Sequence, residues 1–286
     1  KRFEYCTSAD EQMITFKKFL EEVQYDEMDL DAAIKIINTK CKDAFWMIHS
    51  NTPFYRGDPN VPNDVEELGF AIADPSKTER KSANTTNYYT VILDNIPSMA
   101  EYPKRSKSFI CTTSHLKARD FARQSTPYII IPFDNVDIGV VNSGDLWDIE
   151  IEIFESRLRS IDRVNKLWQH MGLPADNNSW PKWEEFAKEC NGPNSSEYKQ
   201  RIKSAIEKAG FNEILRNFNI DSIAYRFLDL INRAYSPKNT NVSLTDTSDR
   251  YYFEQDTELW FSGPCLVIAE HAWPQIVKHY VKETEE

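Results

Sequence analysis

Glycine is scarce, 8 in 286 residues, under half of the ~7% usual in soluble proteins. The shortage excludes loops that cradle phosphate with backbone N–H groups, and neither G-x-G-x-x-G nor a Walker-type run is present. A nucleotide bound here has to be held by side chains. Arginine suits that task best, because its fork meets two phosphate oxygens at once. Cysteine is sparse and unpatterned: Cys6, Cys41, Cys111, Cys190 and Cys265 are odd in number, and no pair has zinc-finger or redox spacing. That argues against a disulfide framework and for a reducing cytosol. No apolar run approaches a membrane span, and the start lacks the apolar region of a signal peptide, so no membrane association is expected. Positive charge is in deficit, giving a net charge of −11. The deficit weighs weakly against a surface that coats nucleic acid and leaves a local basic cleft open.

What the chain does contain is length and pattern. Its 286 residues suffice for one large domain or two small ones, with roughly three quarters of the unfolded surface buried. The first third reads as helical. Ser8-Ala9-Asp10-Glu11 fits a capping box, followed by Met13, Phe16, Leu20 and Val23 at helical spacing. A second helix is expected from Leu30 to Ile48, with Ala33, Ile34, Ile37, Cys41, Ala44 and Phe45 on its apolar side. Phe54 and Tyr55 then suit a strand that ends at Arg56 and turns at Gly57. Residues 75–86 read as a polar loop, Tyr88 to Leu93 as an apolar element, and Lys104-Arg105-Ser106-Lys107 as a basic turn. Ser108 to Thr113 is β-prone and ends in small thiol and hydroxyl residues; Ser114 caps a helix with Ala118, Phe121 and Ala122 inward. Tyr128–Pro132 and Asp137–Val141 read as strands. Residues 143–236 read as a largely helical insertion, and His271 to Val281 as a closing helix.

The stretch Arg250 to Ala269 carries the most chemistry. Two apolar runs split by Ser262-Gly263-Pro264 read as strand, tight connection, strand. Glu254, Asp256 and Glu258 share one face if the extended conformation reaches back that far. Carboxylates so placed either face water on an edge strand or serve a reaction. A fixed carboxylate beside a sugar stabilises the cation formed when a glycosidic bond breaks, and a second polar group two positions away can position or deprotonate an acceptor. The trio Tyr251, Tyr252 and Phe253 just before them is read equally as packing or as recognition.

Three of these stretches, in order, resemble the mono-ADP-ribosyltransferases of the arginine–serine–glutamate type: Phe54-Tyr55-Arg56-Gly57, Phe109-Ile110-Cys111-Thr112-Thr113 running into a helix, and Asp256-Thr257-Glu258-Leu259-Trp260 before Gly263. The resemblance covers matching segments of residues 50–142 and 240–281. It implies an α+β fold: an ADP-ribosyltransferase-like split mixed β-sheet core from residues 1–142 and 237–286, with N-terminal helices at 9–48 and residues 143–236 as a helical insertion. It also implies NAD as co-substrate, with no metal. Arg56 and Gly57 would meet the NAD phosphates or ribose, Cys111, Thr112 and Thr113 would shape the nicotinamide pocket, and Glu258 would be the catalytic carboxylate. Asp256 or Glu254 would serve the acceptor, and Tyr251, Tyr252 and Phe253 would recognise it. Two departures stand out. Cys111 occupies the place of the family's first serine, and Asp256 that of a glutamate or glutamine, one methylene longer. The implied protein is a bacterial or phage toxin or effector, cytoplasmic in its own cell or delivered into a host. It would transfer ADP-ribose to a protein side chain or a nucleic-acid base, and an inhibitor or partner protein would contact the insertion. Two alternatives stay beside it: an NAD glycohydrolase, and a non-catalytic interaction module on the same scaffold.

Overall fold

The computed structural model describes residues 23–50, 52–58, 61–78, 80, 90, 93–94, 96–122, 126–141, 146, 169–170, 196–208, 236–238, 240–249 and 252–283. Among them, nine strands form one sheet: β1 Tyr25–Met28, β2 Phe54–Arg56, β3 Phe70–Ala73, β4 Phe109–Thr112, β5 Tyr128–Pro132, β6 Asp137–Val141, β7 Val242–Asp246, β8 Glu258–Phe261 and β9 Cys265–Ala269. The helices are α1 Leu30–Lys40, α2 Lys42–Ser50, α3 Asn63–Leu68, α4 His115–Phe121, α5 Ser196–Lys208 and α6 Trp273–Glu283. The strand order is β1-β3-β9-β5-β2-β4-β8-β6-β7. Every ladder among the described residues is antiparallel, so the sheet is not the mixed one expected. The α+β class stands. No described helix is long and apolar enough to cross a membrane.

The order forces a bend. β8 and β9 lie four lateral steps apart, about 19 Å across a flat sheet at ~4.8 Å per step. Yet only Ser262, Gly263 and Pro264 connect them, a reach of roughly 14 Å. The link from β5 to β6 through residues 133–136 crosses the same gap, and Phe133 N donates to Pro264 O at 3.0 Å, tying the two links together. The sheet therefore curls between β1-β3-β9-β5 and β4-β8-β6-β7. The crease is β2, which has three residues and meets β4 at the single pair Tyr55↔Thr112.

Apolar side chains of both halves fill the curl, among them Phe54, Phe109, Phe253, Phe261 and Val267. Phe54 and Phe253 meet edge to face at 4.9 Å. Helix α2 packs on β5, and the ring of Phe45 on α2 meets that of Tyr280 on α6 at a tilt, centroids 4.5 Å apart. The expected single helix over Leu30–Ile48 is two helices. Cys41 breaks it, and the Asp134 carboxylate accepts from Lys42 N at 2.8 Å and Ala44 N at 3.0 Å, capping α2 from the link after β5. A cap supplied 90 residues away leaves no local mark in the sequence.

Gly57 ends the crease strand under α4. A Cβ there would stand 2.0 Å from Ala118 O and 2.5 Å from Ala122 N, both backbone atoms. Gly57→Ala should therefore force α4 off β2 and cost about 1–3 kcal/mol. The check is the urea midpoint; an unchanged value would show that α4 does not lie against Gly57. The capping box and first helix of residues 8–22 lie outside the described residues. So does most of the 143–236 insertion, apart from α5, Leu146, Gln169, His170 and Ser236.

Candidate active site

Register decides which of the candidate residues meet. Tyr55 pairs with Thr112, Thr112 with Glu258, and Glu258 with Val141, in successive ladders. Residues directly opposite share a face. Tyr55, Thr112, Glu258 and Val141 thus make one row across the crease and the second half of the sheet. Arg56, Cys111 and Leu259, each one residue along, take the other face.

Glu258 opens β8 and is only 6% exposed. Its Oε1 accepts from Arg105 Nη1 at 2.6 Å and its Oε2 from Leu146 N at 3.3 Å. Arg105 is 6% exposed, and its guanidinium lies over the Trp260 ring, 4.9 Å from the centroid. Trp260 is two residues along β8, on the Glu258 face, and donates its indole N–H to Pro103 O at 2.9 Å. Gly139 opposite leaves it room, since a Cβ there would come within 2.4 Å of the indole. The turn that carries Arg105 is built on buried Asp94, whose carboxylate accepts from Arg105 N at 2.6 Å and Ser106 N at 3.1 Å; Lys104 Nζ also donates to the Asp94 carbonyl. Burial raises the Asp94 pKa, and the hydrogen bonds from Ser106 oppose the rise. The result is a carboxylate held by a buried cation, with a second carboxylate holding the cation's backbone.

Arg56 has other company. Its Nη2 and Nε reach one Asp58 oxygen at 2.9 and 3.3 Å, and its Nη1 donates to Ile110 O at 3.2 Å. The guanidinium stacks on Phe109, 4.2 Å from the centroid, on the core side of the sheet. Tyr25 Oη donates to the same Asp58 oxygen at 3.3 Å. Burial is the largest influence and works against the charge on Arg56, but Asp58 together with the neighbouring Tyr25 and Cys111 outweighs it, and the guanidinium pKa is raised. Cys111 shares this face, and burial pushes its thiol up to about 12 despite the opposing pull of Arg56. It is an unreactive core thiol.

The threonines serve the loop before β8. Thr113 Oγ1 donates to Glu254 O at 2.9 Å and accepts from Thr257 N at 2.9 Å, while Thr113 N donates to Thr257 O at 3.0 Å. Thr112 Oγ1 accepts from Ser114 N at 3.1 Å, so its hydroxyl caps the entry to α4. The extended conformation does not reach back to Glu254: Asp256 sits at φ 66 and the strand begins at Glu258. The three carboxylates therefore do not form one strand face. Glu254 is exposed, and Asp256 stands on the turn. Of the aromatic trio, Tyr252 is 75% exposed, Phe253 is core and Tyr251 lies outside the described residues.

Sequence reasoning did not find the partners of Glu258. Arg105 reads only as one cation of a basic turn, and Leu146 only as a residue of the helical insertion. Among the described residues no group of three His, Cys, Asp or Glu is placed to hold a metal ion. Comparison of the chain with protein-family models, with curated proteins and with solved structures found no match.

Proposed function

We propose that the protein is an NAD-dependent mono-ADP-ribosyltransferase with an ADP-ribosyltransferase-like split sheet, and that Glu258 is its catalytic carboxylate. The observation that carries the reading is the Tyr55–Thr112–Glu258 row. Three stretches far apart in the sequence, those that carry the resemblance, meet side by side at the crease of a curled sheet. The chemistry fits the carboxylate. Cleaving the nicotinamide–ribose bond builds positive charge on the ribose. A preorganised carboxylate shielded from water opposes that charge far more strongly than one in solvent. Arg105 Nη1 pairs with Glu258 Oε1 at 2.6 Å and fixes the carboxylate's direction. Tyr55 and Thr112 beside it form a wall for the nicotinamide ring. In this reading Arg56 stiffens the crease from behind, and a macromolecular acceptor approaches past exposed Tyr252.

One observation favours a second reading, the non-catalytic module. Both Glu258 oxygens already have a donor, Arg105 Nη1 and Leu146 N, and the residue is only 6% exposed, so little of the carboxylate is open to a ribose hydroxyl. Incubating the full chain with NAD labelled in the adenylate part and with whole-cell lysate separates the readings. Label on protein or on nucleic acid, sorted by protease and nuclease, supports the transferase. Free ADP-ribose alone identifies a glycohydrolase, and unconsumed NAD leaves the non-catalytic module.

A further inference from the structure

We infer that His115 is the general base that deprotonates the acceptor, held for that task by Glu270, and that the acceptor is a hydroxyl. The inference rests on the transferase reading above and adds to it the acceptor's chemistry. His115 Nε2 lies 3.1 Å from one Glu270 oxygen and 3.2 Å from the other, centred on the carboxylate. Its ring meets Tyr55 edge to face, centroids 5.2 Å apart at 89°. Tyr55 stands in the row of Thr112 and Glu258, two strand spacings or about 10 Å from the catalytic carboxylate. The dyad is therefore on the Glu258 side of the sheet, within the span of one bound dinucleotide and its acceptor.

Its placement is built by the fold. His115 is the first residue of α4, directly after β4 and Thr113-Ser114. Glu270 directly follows β9, where Ala269 N is fixed to Gly69 O at 2.9 Å. Two elements 155 residues apart converge on one hydrogen bond. Exposure divides the labour. The side chains of His115 and Glu270 are 37% and 40% exposed, whereas Glu258 is buried. A buried carboxylate suits the ribose cation; an imidazole at the surface suits a group arriving on another macromolecule. Glu254, exposed ahead of the turn, and Asp256, on it, both precede β8 and lie outside the row.

The step balances. The Nε2–H of His115 is donated to Glu270, which leaves a lone pair on Nδ1. As the acceptor oxygen bonds to the ribose C1′, its proton passes to Nδ1. The C1′–N bond to nicotinamide breaks, and its electron pair stays on the pyridine nitrogen and cancels the positive charge there. Imidazolium forms against the Glu270 carboxylate and later returns the proton to water. A neutral hydroxyl needs such a base, whereas a carboxylate or thiolate acceptor does not.

The test uses the full chain with NAD and lysate, comparing wild type, His115→Ala, His115→Gln and Glu270→Gln. The expected results are a fall in transfer of roughly 10²–10⁴-fold for both His115 variants, and partial restoration of His115→Ala by added imidazole. Glu270→Gln is expected to cause a loss of about tenfold or more. The ratio of transfer to NAD hydrolysis should fall with it. The label should resist neutral hydroxylamine, which cleaves ester links. Wild-type transfer rates in folded His115→Ala, or a loss that imidazole does not relieve, would overturn the assignment while leaving the transferase reading intact. Hydroxylamine-sensitive label would overturn the hydroxyl acceptor, and hydrolysis with no transfer would remove the transferase reading on which it rests. NAD left unconsumed by wild type would remove the transferase reading and this inference together.

Discussion

Glu258→Gln should lower both ADP-ribose transfer and NAD hydrolysis by about 10²–10³-fold, the loss typical of one preorganised electrostatic contact. The substitution keeps volume, removes the charge that opposes the ribose cation, and turns one of the two acceptor oxygens that meet Arg105 Nη1 and Leu146 N into an NH2 donor. It also removes the charge that Arg105 Nη1 meets at 2.6 Å, in a place where the two side chains are 7% and 9% exposed. Breaking a buried pair from one side costs about 3–5 kcal/mol, so lost activity alone would not separate chemistry from folding. The companion variants do. Arg105→Met should be destabilised like Glu258→Gln, because it leaves the carboxylate buried among Trp260, Leu146 and Thr112. The double variant Glu258→Gln with Arg105→Met replaces the pair with neutral groups of similar size and should recover most of the stability. It should not recover turnover. Thermal melts read the first effect and NAD consumption the second. Full turnover by folded Glu258→Gln would end the proposal, and recovery of turnover in the double variant would show that the pair serves structure alone.

The parts of this site that the sequence made legible are those whose cause is local. Phe54-Tyr55-Arg56, Phe109 to Thr112, Tyr128–Pro132 and Asp137–Val141 are β-prone runs bounded by turn residues, and each is a strand. The closing helix around Trp273, Ile276 and Tyr280 follows from helical spacing. Three strands escape a local reading. β1, Tyr-Asp-Glu-Met, is an edge strand whose order comes from pairing with β3, and its acidic middle hides it. β3 is a short continuous apolar run, Phe-Ala-Ile-Ala, without alternation. In β7, Val242 and Leu244 do alternate with Ser243 and Thr245, a usable signal in a stretch that otherwise reads as loop. The site divides in the same way. Thr112 near Glu258 is what the resemblance implies, whereas the pairing of β4 with β8, with three strands between them in the sequence, is written in no local pattern. Arg105 on Glu258, Asp94 under Arg105 and Glu270 on His115 depend on contacts across 153, 11 and 155 residues. Only the curl of the sheet creates the long ones. The face on which Arg56 lies is fixed by a one-residue difference in register, which no composition or spacing rule expresses.

Asp58→Asn decides what Arg56 does. In the structure Arg56 directs its donors to Asp58 and Ile110 O, lies on Phe109 and shares its carboxylate with Tyr25. The side chains of the pair are 14% and 11% exposed, so the charges are mostly removed from water and depend on each other. Asparagine keeps the shape of Asp58 and removes its charge, leaving a desolvated guanidinium against an aromatic ring and a carbonyl. The expected result is a destabilisation of about 3 kcal/mol or more, read as a lower urea midpoint, with NAD affinity changed little in the protein that remains folded. Arg56→Ala should be destabilising for the mirror reason, and Arg56→Met with Asp58→Leu should restore part of the loss by filling the space with neutral groups. The outcome differs if Arg56 grips the NAD phosphates, the role implied by resemblance. Asp58 then competes with the phosphate for one guanidinium, and Asp58→Asn should tighten NAD binding by calorimetry while the urea midpoint barely moves. Tighter binding with unchanged stability would assign Arg56 to the cofactor; the reverse pattern assigns it to the crease, where it stacks on Phe109 and bonds Ile110 O, fastening β2 to β4.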